Sequence, residues 1–239
     1  MFEPRIGTAG WSIPGALRDA FPAEGSHLER YAARFNAVEI NSSFYRPHRR
    51  STYQRWAATV GRDFRFAVKL PKAVSHAKPG VAVKPAIERF GDEIEGLGEK
   101  LGVVLIQFPP SRVYEAGQAD ELFALLRDGL PCLLVCEPRH DSWFENGVGA
   151  ALDGLRIARV AADPAIVPEA GNPGGWPGAR YRRLHGAPHV YYSDYPPAVL
   201  RSVRETISRE GAAGVETWTI FDNTALGAAT ANALDLLAM

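Results

Sequence analysis

The sequence has few cysteines, no excess of charge of either sign and no long apolar run. Its two cysteines are Cys132 and Cys136. Four residues of extended strand would place them roughly 13 Å apart, and a disulfide requires Cα atoms within about 7 Å. We therefore predict two unpaired thiols, which favour a reducing compartment, and we expect a cytoplasmic protein.

The charges balance, with 27 basic and 27 acidic residues among 239. A net charge of zero gives no electrostatic reason to expect a nucleic-acid carrier or a membrane-surface protein. No apolar run reaches the roughly 18 residues of a membrane-spanning helix, and residues 1–7 show no signal-peptide pattern. We expect no membrane association. The composition, 46% hydrophobic and 23% charged, is ordinary for a globular protein, and we predict a single domain over residues 1–239.

Strand-like runs alternate with helical patterns along the whole chain. Eight runs cover residues 5–11, 37–45, 65–70, 102–108, 132–139, 156–163, 181–186 and 216–223. Between them, apolar residues recur at the three- and four-residue steps of a helix, as in residues 87–101 and 200–207. Such alternation implies parallel strands joined by right-handed crossovers. Eight units in this length predict an α/β fold of the (β/α)₈ TIM-like barrel type.

An open doubly wound sheet is the alternative fold. The first turn after a strand, residues 7–12 (GTAGWS), lacks the G-x-G-x-x-G fingerprint, and no G-x-x-x-x-G-K-[ST] follows any strand. The barrel is therefore favoured. Residues 164–180 contain GNPGGWPG, a composition that prevents a normal helix. We predict that an irregular loop replaces the helix after the sixth strand.

The run of residues 132–143 (CLLVCEPRHDSW) begins as a buried strand and ends in charged and aromatic side chains. Its alternation places Glu137 and Arg139 on one face. Charged groups there are costly to bury unless they pair or meet a ligand, and α/β proteins place their sites at the carboxyl ends of parallel strands. Lys69 and His185 lie near the ends of two other runs, and Glu39 shares one face of its run with Ala37 and Asn41. We predict that these five side chains converge as the catalytic residues of one pocket.

Further side chains at or near the strand ends are predicted to bind the substrate. They are Trp11, Asn41, Tyr45, His76, Gln107, Trp143, Arg183 and Asn223. Basic residues in segments 46–55 and 180–183 suggest a basic rim around the pocket, because the guanidinium group suits phosphate or carboxylate. The predicted partner is a small anionic ligand. The sequence leaves the oligomeric state open.

Seven groups of residues, in order along nearly the whole chain, form a recognisable set. They are residues 7–11 (GTAGW), 35–45 (FNAVEINSSFY), 64–69 (FRFAVK), 107–110 (QFPP), 137–143 (EPRHDSW), 183–186 (RLHG), and 221–224 (FDNT) with 232–234 (NAL). This set resembles the domain-of-unknown-function 72 family, the YecE-like proteins. The resemblance implies a TIM barrel with a shared pocket and supplies no reaction. Residues 12–21 depart from the family in lacking a second tryptophan, and residues 74–76 read VSH where ITH is usual.

These residues favour an enzyme whose class, whether hydrolase, lyase or isomerase, is not resolved. We expect acid–base chemistry on a phosphorylated or carboxylated small molecule, such as a sugar derivative. Glu39 or Glu137 would act as base or acid with His185, while Lys69 and Arg139 would hold the anion.

Three other interpretations stay open. In one, Glu39, Glu137 and His185 bind a divalent metal of a hydrolase or isomerase, although the nearby cations would repel it and the sequence requires no cofactor. In another, the basic rim binds nucleic acid. In the third, Glu137 with Arg139 and Glu39 with Lys69 are structural ion pairs.

Overall fold

The computed structural model describes residues 3–78 and 80–239. Residues 1–2 lie outside the described residues. They belong to the N-terminal segment 1–7, in which the sequence shows no signal-peptide pattern. The strands are β1 Arg5–Thr8, β2 Ala37–Ile40, β3 Arg65–Lys69, β4 Leu101–Gln107, β5 Leu133–Glu137, β6 Ala158–Arg159, β7 Ala161–Asp163, β8 Gly174–Gly175, β9 Ala179–Leu184 and β10 Glu216–Phe221. The α-helices are α1 His27–Ala32, α2 Arg50–Thr59, α3 Lys72–Ser75, α4 Lys84–Ile94, α5 Ala116–Gly129, α6 Val148–Gly154, α7 Pro197–Ala212 and α8 Ala228–Ala238.

The fold is mixed α/β, and its strands form two sheets in which parallel pairing dominates. One sheet has the order β1-β10-β9-β7 and the other the order β2-β3-β4-β5-β6-β8. Only the β6–β8 pair is antiparallel within the described chain. The predicted closed TIM barrel is not confirmed, because no closed sheet occurs among residues 3–78 and 80–239.

The two sheets approach each other at two places, one between β1 and β2 and the other between β6 and β7. At the first, a bridge joins Ala9 to Glu39, and the Gly10 amide donates a 2.8 Å hydrogen bond to the Glu39 carbonyl. At the other, Val160 alone separates β6 from β7, and its amide donates to the Cys136 carbonyl at 2.8 Å. The last residues of neighbouring strands in both sheets therefore lie close together.

Several predicted strands are shorter in the structure. The run 37–45 ends at Ile40, and a 3₁₀ turn Ser42–Phe44 follows. The Ser43 hydroxyl fixes this turn by donating to the carbonyls of Ile40 at 3.0 Å and Lys69 at 2.7 Å. The run 156–163 is divided into β6 and β7, because β6 pairs with β5 and β7 pairs with β9.

The predicted irregular segment after the sixth strand is confirmed in outline. Residues 164–180 contain a 3₁₀ turn, Pro168–Gly171, and the two-residue strand β8, while β9 begins at Ala179. No α-helix occurs in this described segment. Gly175 has φ +62° and lies against the Ile157 carbonyl, so the chain passes too close to β6 for a side chain there.

Two apolar clusters lie on opposite faces of the strands. The larger fills the space between the strands and the helices and includes Phe66, Ile106 and Phe123. The smaller is built from the other strand faces, and its members are Ala37, Ala67, Val103, Leu105, Val135, Ala158, Val160, Ala179, Tyr181, Trp218 and Ile220. Both strand faces are therefore buried, as is usual in parallel sheets. Within the described residues, no helix combines the length and apolar character that a membrane span needs.

Both cysteines are free thiols, as their spacing predicted. Cys136 lies fully buried in β5, and Cys132 precedes that strand. Burial raises the pKa of each thiol to about 12. The thiolate is the reactive form, so neither cysteine is a candidate nucleophile at neutral pH.

The closest approach of β1 to β2 leaves no room for a side chain at Gly7. A Cβ atom there would overlap the Ala37 carbonyl and lie 3.0 Å from the Tyr31 hydroxyl. We expect Gly7→Ala to lower the free energy of unfolding by about 1–3 kcal/mol, the usual cost of overpacking, in urea denaturation. Gly15→Ala is the matched control, since no atom lies within 4 Å of its added Cβ. Equal stability of the two variants would contradict the tight packing of the two strands.

Candidate functional site

A polar layer follows the smaller apolar cluster at the carboxyl ends of the strands. On six strands, alternation carries the last residue that belongs to that cluster to a polar residue two positions later. The residues reached in this way are Glu39, Lys69, Gln107, Glu137, Arg183 and Asp222. Arg139 and His185 extend the same layer one step further. This layer is the candidate site.

Arg183, in β9, lies at the centre of the layer and donates hydrogen bonds to three carboxylates. Its Nε and Nη2 contact Glu39 Oε2 and Oε1 at 3.1 and 2.7 Å. Its Nη1 contacts Glu137 Oε2 at 2.7 Å, and Nη2 also contacts Asp222 Oδ2 at 2.9 Å. Tyr181 completes the group by donating its hydroxyl to Glu39 Oε2 at 2.7 Å. One fully buried guanidinium thus holds three buried carboxylates in fixed positions.

The charges in this layer determine the ionisation of its members. Burial alone would raise the pKa of Glu137, but Arg183, His185 and Arg139 outweigh it and hold that pKa well below the usual range. The pKa of Asp222 is likewise lowered, since Arg183 and a hydrogen bond from His185 overcome its burial. Burial opposes the charge of Arg183, but the three carboxylates raise its pKa well above the usual value. The charge of Arg183 and the charges of these two carboxylates therefore stabilise each other.

His185 follows β9 and is in contact with both acidic and basic groups. Its Nδ1 lies 3.0 Å from Asp222 Oδ2. Its Nε2 lies 2.9 Å from Glu137 Oε1 and 2.8 Å from Arg139 Nη2. A hydrogen on Nε2 satisfies the carboxylate, whereas a bare Nε2 accepts from the guanidinium. The geometry thus provides a partner for Nε2 with or without its proton.

Arg139 and Gln107 contact the same carboxylate from other sides. Arg139 Nη2 lies 2.5 Å from Glu137 Oε1, and Gln107 Nε2 donates to Glu137 Oε2 at 3.0 Å. The Arg139 side chain is 19% exposed, whereas those of Glu137 and Arg183 are 1% exposed. Arg139 therefore lies where the layer meets solvent.

Lys69, the last residue of β3, is the cation of the layer that has no carboxylate partner. No ion pair or hydrogen bond to its Nζ occurs within the described residues; Nζ instead lies 4.4 Å from the centre of the Phe44 ring. Burial, followed by repulsion from Arg183, lowers its pKa, although Glu39, Glu137 and Asp222 act in the opposite sense. The structural pair between Glu39 and Lys69 that we considered from the sequence does not form.

The five predicted catalytic residues all lie in or beside this layer, and so do two of the predicted binding residues, Gln107 and Arg183. His76 lies near it. Its ring packs against Phe44 at 5.1 Å and its Nδ1 lies 3.0 Å from the Ser75 hydroxyl. Burial and the charges of Lys72 and Lys69 lower the pKa of His76.

The other predicted binding residues occupy different surroundings. Trp143 is 2% exposed, stacks on Phe108 at 4.7 Å and donates to the Arg112 carbonyl at 2.7 Å. Asn223 donates to Ser193 and Asn232 at 2.9 Å. Both therefore pack on the helix side of the strands rather than in the polar layer.

Three predicted binding residues lie around the turns that follow β1 and β2. Trp11 packs edge-on against Trp56 at 5.1 Å, and Tyr45 is 82% exposed. Asn41 has a buried Oδ1 without a hydrogen-bond partner among the described residues. Asn41 is thus the member of this group that offers an unused polar atom.

The basic rim is smaller than predicted. Arg182 and Arg180 point away from the layer and contact Glu210 of α7, with Arg182 Nη1 at 2.8 Å from its Oε2. Arg50 begins α2 and pairs with Glu95 at 2.9 Å. Alternation along β9 explains the first result, because residues 180 and 182 face opposite to Arg183.

Sequence reasoning missed Asp222, a member of the layer, and Tyr181, which donates a hydrogen bond to Glu39. Tyr181 shares the strand face of Arg183 on β9, and Asp222, which follows β10, continues the face of Ile220. A strict count of alternate positions would have found them. The sequence predicts Asn223, the neighbour of Asp222, as the site residue, but Asn223 faces the helices and donates to Asn232 of α8.

The carboxylates of the layer are already occupied by guanidinium and imidazole groups. Among residues 3–78 and 80–239, no group of three or more His, Cys, Asp or Glu side chains is arranged to hold a metal ion. A metal bound by Glu39, Glu137 and His185 would have to replace the contacts of Arg183. The geometry does not favour the metal-dependent alternative.

The fold and this layer define a mixed α/β protein with a buried ionic cluster at the carboxyl ends of parallel strands. The chain belongs to the family described as "Protein of unknown function DUF72", whose model matches residues 5–239. It is 30% identical over 144 residues to the UPF0759 protein YecE of Escherichia coli K12, which covers 59% of this chain and 50% of that protein. It is 27% identical over 151 residues to the UPF0759 protein YunF of Bacillus subtilis, with 58% and 51% covered. The chain thus spans about half the length of the curated relatives it matches.

Solved structures show the same fold. A DUF72 family protein from Thermotoga maritima superposes with a TM-score of 0.80 at 26% identity, covering 100% of this chain and 99% of that chain. A DUF72 family protein from Enterococcus faecalis superposes with a TM-score of 0.82 at 19% identity, covering 99% and 94%. The names of these proteins specify no reaction.

Proposed function

We propose that this chain is an enzyme that performs acid–base chemistry on a small anionic substrate at the polar layer. The observation that carries the proposal is the position of His185 Nε2, 2.9 Å from Glu137 Oε1 and 2.8 Å from Arg139 Nη2. A general acid or base has to gain and lose a proton at one atom during turnover. Nε2 has a partner in both states, and Asp222 orients the ring through Nδ1.

The cations of the layer divide into two kinds. Arg183 is saturated by three carboxylates and fixes their positions. Arg139 and Lys69 have donor capacity left, since Arg139 is partly exposed and Lys69 has no ion pair in the described chain. A phosphate or carboxylate group that entered beside Arg139 would meet a planar fork of donors. We assign recognition of the substrate's negative charge to Arg139.

The neutral part of the substrate would meet Asn41. Its buried Oδ1 has no donor among the described residues, and an unpaired buried acceptor costs about 1–3 kcal/mol. A hydroxyl group of a bound molecule would satisfy this oxygen. An anionic molecule that also carries hydroxyl groups, such as a sugar phosphate, fits both features.

Binding of inorganic phosphate is the simplest test of this site. We expect phosphate to raise the melting temperature of the protein relative to chloride at equal ionic strength, because a ligand that binds only the folded state stabilises it. Arg139→Gln should weaken phosphate binding roughly tenfold or more, since a charge-assisted hydrogen bond contributes about 1.5–3 kcal/mol.

Arg46→Gln is the matched control for this test. Arg46 is exposed and lies in the predicted basic rim, outside the polar layer. The proposal requires phosphate to act equally on this variant and on the unaltered protein. If phosphate has no effect on the unaltered protein, or if both variants lose it equally, anion recognition at Arg139 is wrong.

We also propose that the two sheets close into a single (β/α)₈ barrel around the smaller apolar cluster. The Ala9–Glu39 bridge and the single residue between β6 and β7 support this arrangement. In a closed barrel, the polar layer lies at the mouth where the active sites of this architecture are built. The stability of Gly7→Ala, described above, tests the contact between β1 and β2 on which this closure depends.

A further inference from the structure

Lysine is rare in this chain, and one lysine is buried. The sequence holds 27 lysine and arginine residues, of which five are lysine: Lys69, Lys72, Lys78, Lys84 and Lys100. Lys72, Lys78 and Lys84 are exposed, and Lys100 donates to the carbonyls of Val60 and Gly61. Only Lys69, which is 8% exposed, belongs to the polar layer.

Lys69 is buried, and its Nζ has no hydrogen-bond or ion-pair partner within the described residues. Its Nζ lies over the Phe44 ring at 4.4 Å, and no carboxylate pairs with it within the described residues. Arg183 takes up the nearby carboxylates Glu39, Glu137 and Asp222 through its own hydrogen bonds. An arginine at this position would bind an anion with more hydrogen bonds, but it cannot lose its proton to become a nucleophile.

We propose that Lys69 is a covalent nucleophile that forms a Schiff base with an aldehyde or ketone group of the anionic substrate. The inference rests on the proposed function and specifies its substrate class as an anionic carbonyl compound. Arg139 holds the anionic group, while Nζ attacks the carbonyl carbon.

The reaction balances without a co-reactant. The C–N bond forms first and gives a carbinolamine, whose hydroxyl oxygen comes from the carbonyl group. The C–O bond then breaks, and both hydrogens of the amine leave with that oxygen as water. A proton added to the imine nitrogen gives an iminium ion, which withdraws electrons from the neighbouring carbon. In this proposal the His185–Glu137 pair, which belongs to the same polar layer as Lys69, moves a proton at that carbon, so the enzyme would be a lyase or an isomerase.

The low pKa of Lys69 agrees with this role. Its burial and the charge of Arg183 lower that pKa, so a larger fraction of Nζ is neutral at a given pH than for an exposed lysine. The neutral fraction, rather than accessibility alone, then sets the rate of attack on an aldehyde.

Labelling with pyridoxal phosphate tests the proposal on the full chain. This probe is an aldehyde that carries a phosphate, and borohydride reduction fixes its Schiff base permanently to the lysine. Peptide mass mapping then reports the extent of labelling at each of the five lysines over time. We expect Lys69 to be labelled severalfold faster than Lys72, three residues away. Arg139→Gln should slow labelling at Lys69 and leave Lys72 unchanged, and inorganic phosphate should compete only at Lys69.

The outcomes separate this inference from the proposed function. If Lys69 is labelled no faster than Lys72, the assignment of Lys69 as a nucleophile is wrong. This conclusion does not depend on the effect of phosphate on the melting temperature. If phosphate binding through Arg139 persists in that case, the anion site stands without a Schiff base. Lys69 could also be labelled fast at a rate that neither Arg139→Gln nor added phosphate changes. That result would support Lys69 as the nucleophile and contradict the assignment of the anion to Arg139. Lys69→Met supplies the reference map in which that peptide stays unlabelled.

Discussion

Arg183→Met is expected to lower the free energy of unfolding by about 3–5 kcal/mol. Breaking a buried ion pair by removing one partner leaves an uncompensated charge, which costs this much. Here one guanidinium serves Glu39, Glu137 and Asp222 through four hydrogen bonds. Since whole domains are stable by only about 5–15 kcal/mol, the change removes a large part of the total. Urea denaturation at neutral pH measures it.

Two further variants serve as controls for that result. Arg50→Met breaks an exposed pair with Glu95, and exposed pairs contribute at most about 1 kcal/mol, so this control should unfold almost as the unaltered protein does. Arg183→Lys keeps the charge but loses the fork of donors, and we expect an intermediate loss that stays measurable if Arg183→Met does not fold. Equal stability of Arg183→Met and Arg50→Met would show that the cluster does not hold the strands together.

Acid is expected to unfold the protein through the same cluster. The folded-state pKa values of Glu137 and Asp222 lie below their usual values. As the pH falls, these two carboxylates are therefore protonated in the unfolded chain before they are protonated in the folded chain. Their contribution to stability is complete above the unfolded pKa values and is lost as the pH falls towards the folded ones. Below about pH 4, each carboxylate adds about 1.4 kcal/mol per pH unit to the fall in stability.

Glu137→Gln identifies the contribution of one carboxylate. The variant has lost a partner of Arg183, so it starts from a lower stability at neutral pH. Its acid slope should be smaller by about 1.4 kcal/mol per pH unit, because one titrating group is gone. Urea denaturation between neutral pH and pH 3 gives both slopes. Parallel curves for the two proteins would mean that Glu137 does not keep its charge in the folded state.

The order of elements and the residues at the strand ends could be predicted because both depend on periodicity. Alternation along an extended strand fixes which side chains share a face, and it placed Glu39, Lys69, Glu137 and Arg183 in one layer. The same rule holds for Asp222, which was missed only because its neighbour Asn223 was chosen instead. Periodicity therefore identified the layer, although one member was assigned from the wrong face.

The turns after the strands could not be predicted from periodicity. The run that contains Asn41 and Tyr45 continues the apolar pattern of β2, but a serine hydroxyl that bonds to two carbonyls ends the strand at Ile40. Likewise, the sequence predicts a basic rim over residues 46–55 because they hold four arginines, and the second part of that run lies within the segment Arg50–Thr59. Tyr53 and Trp56, one helical turn apart, pack at 5.4 Å and make this segment the helix α2.

The sequence also could not predict which charged side chains pair with one another. It predicted two carboxylates, three cations and a histidine at the strand ends, and it allowed a pair between Glu39 and Lys69. In the structure, all three carboxylates accept hydrogen bonds from Arg183, and Lys69 lies beside Phe44. This choice depends on the reach of one side chain across several strands, which no local pattern encodes.

The unfolding free energy of Lys69→Met tests most directly whether the polar layer is a functional site rather than a structural ion-pair network. The lowered pKa of Lys69 means that the fold disfavours its charge, and residues kept for function often reduce stability. We predict that the variant is as stable as the unaltered protein at neutral pH, or more stable by up to about 2 kcal/mol. A loss of about 3 kcal/mol or more, the size expected for a broken buried ion pair, would contradict the account and make Lys69 a structural member of the network.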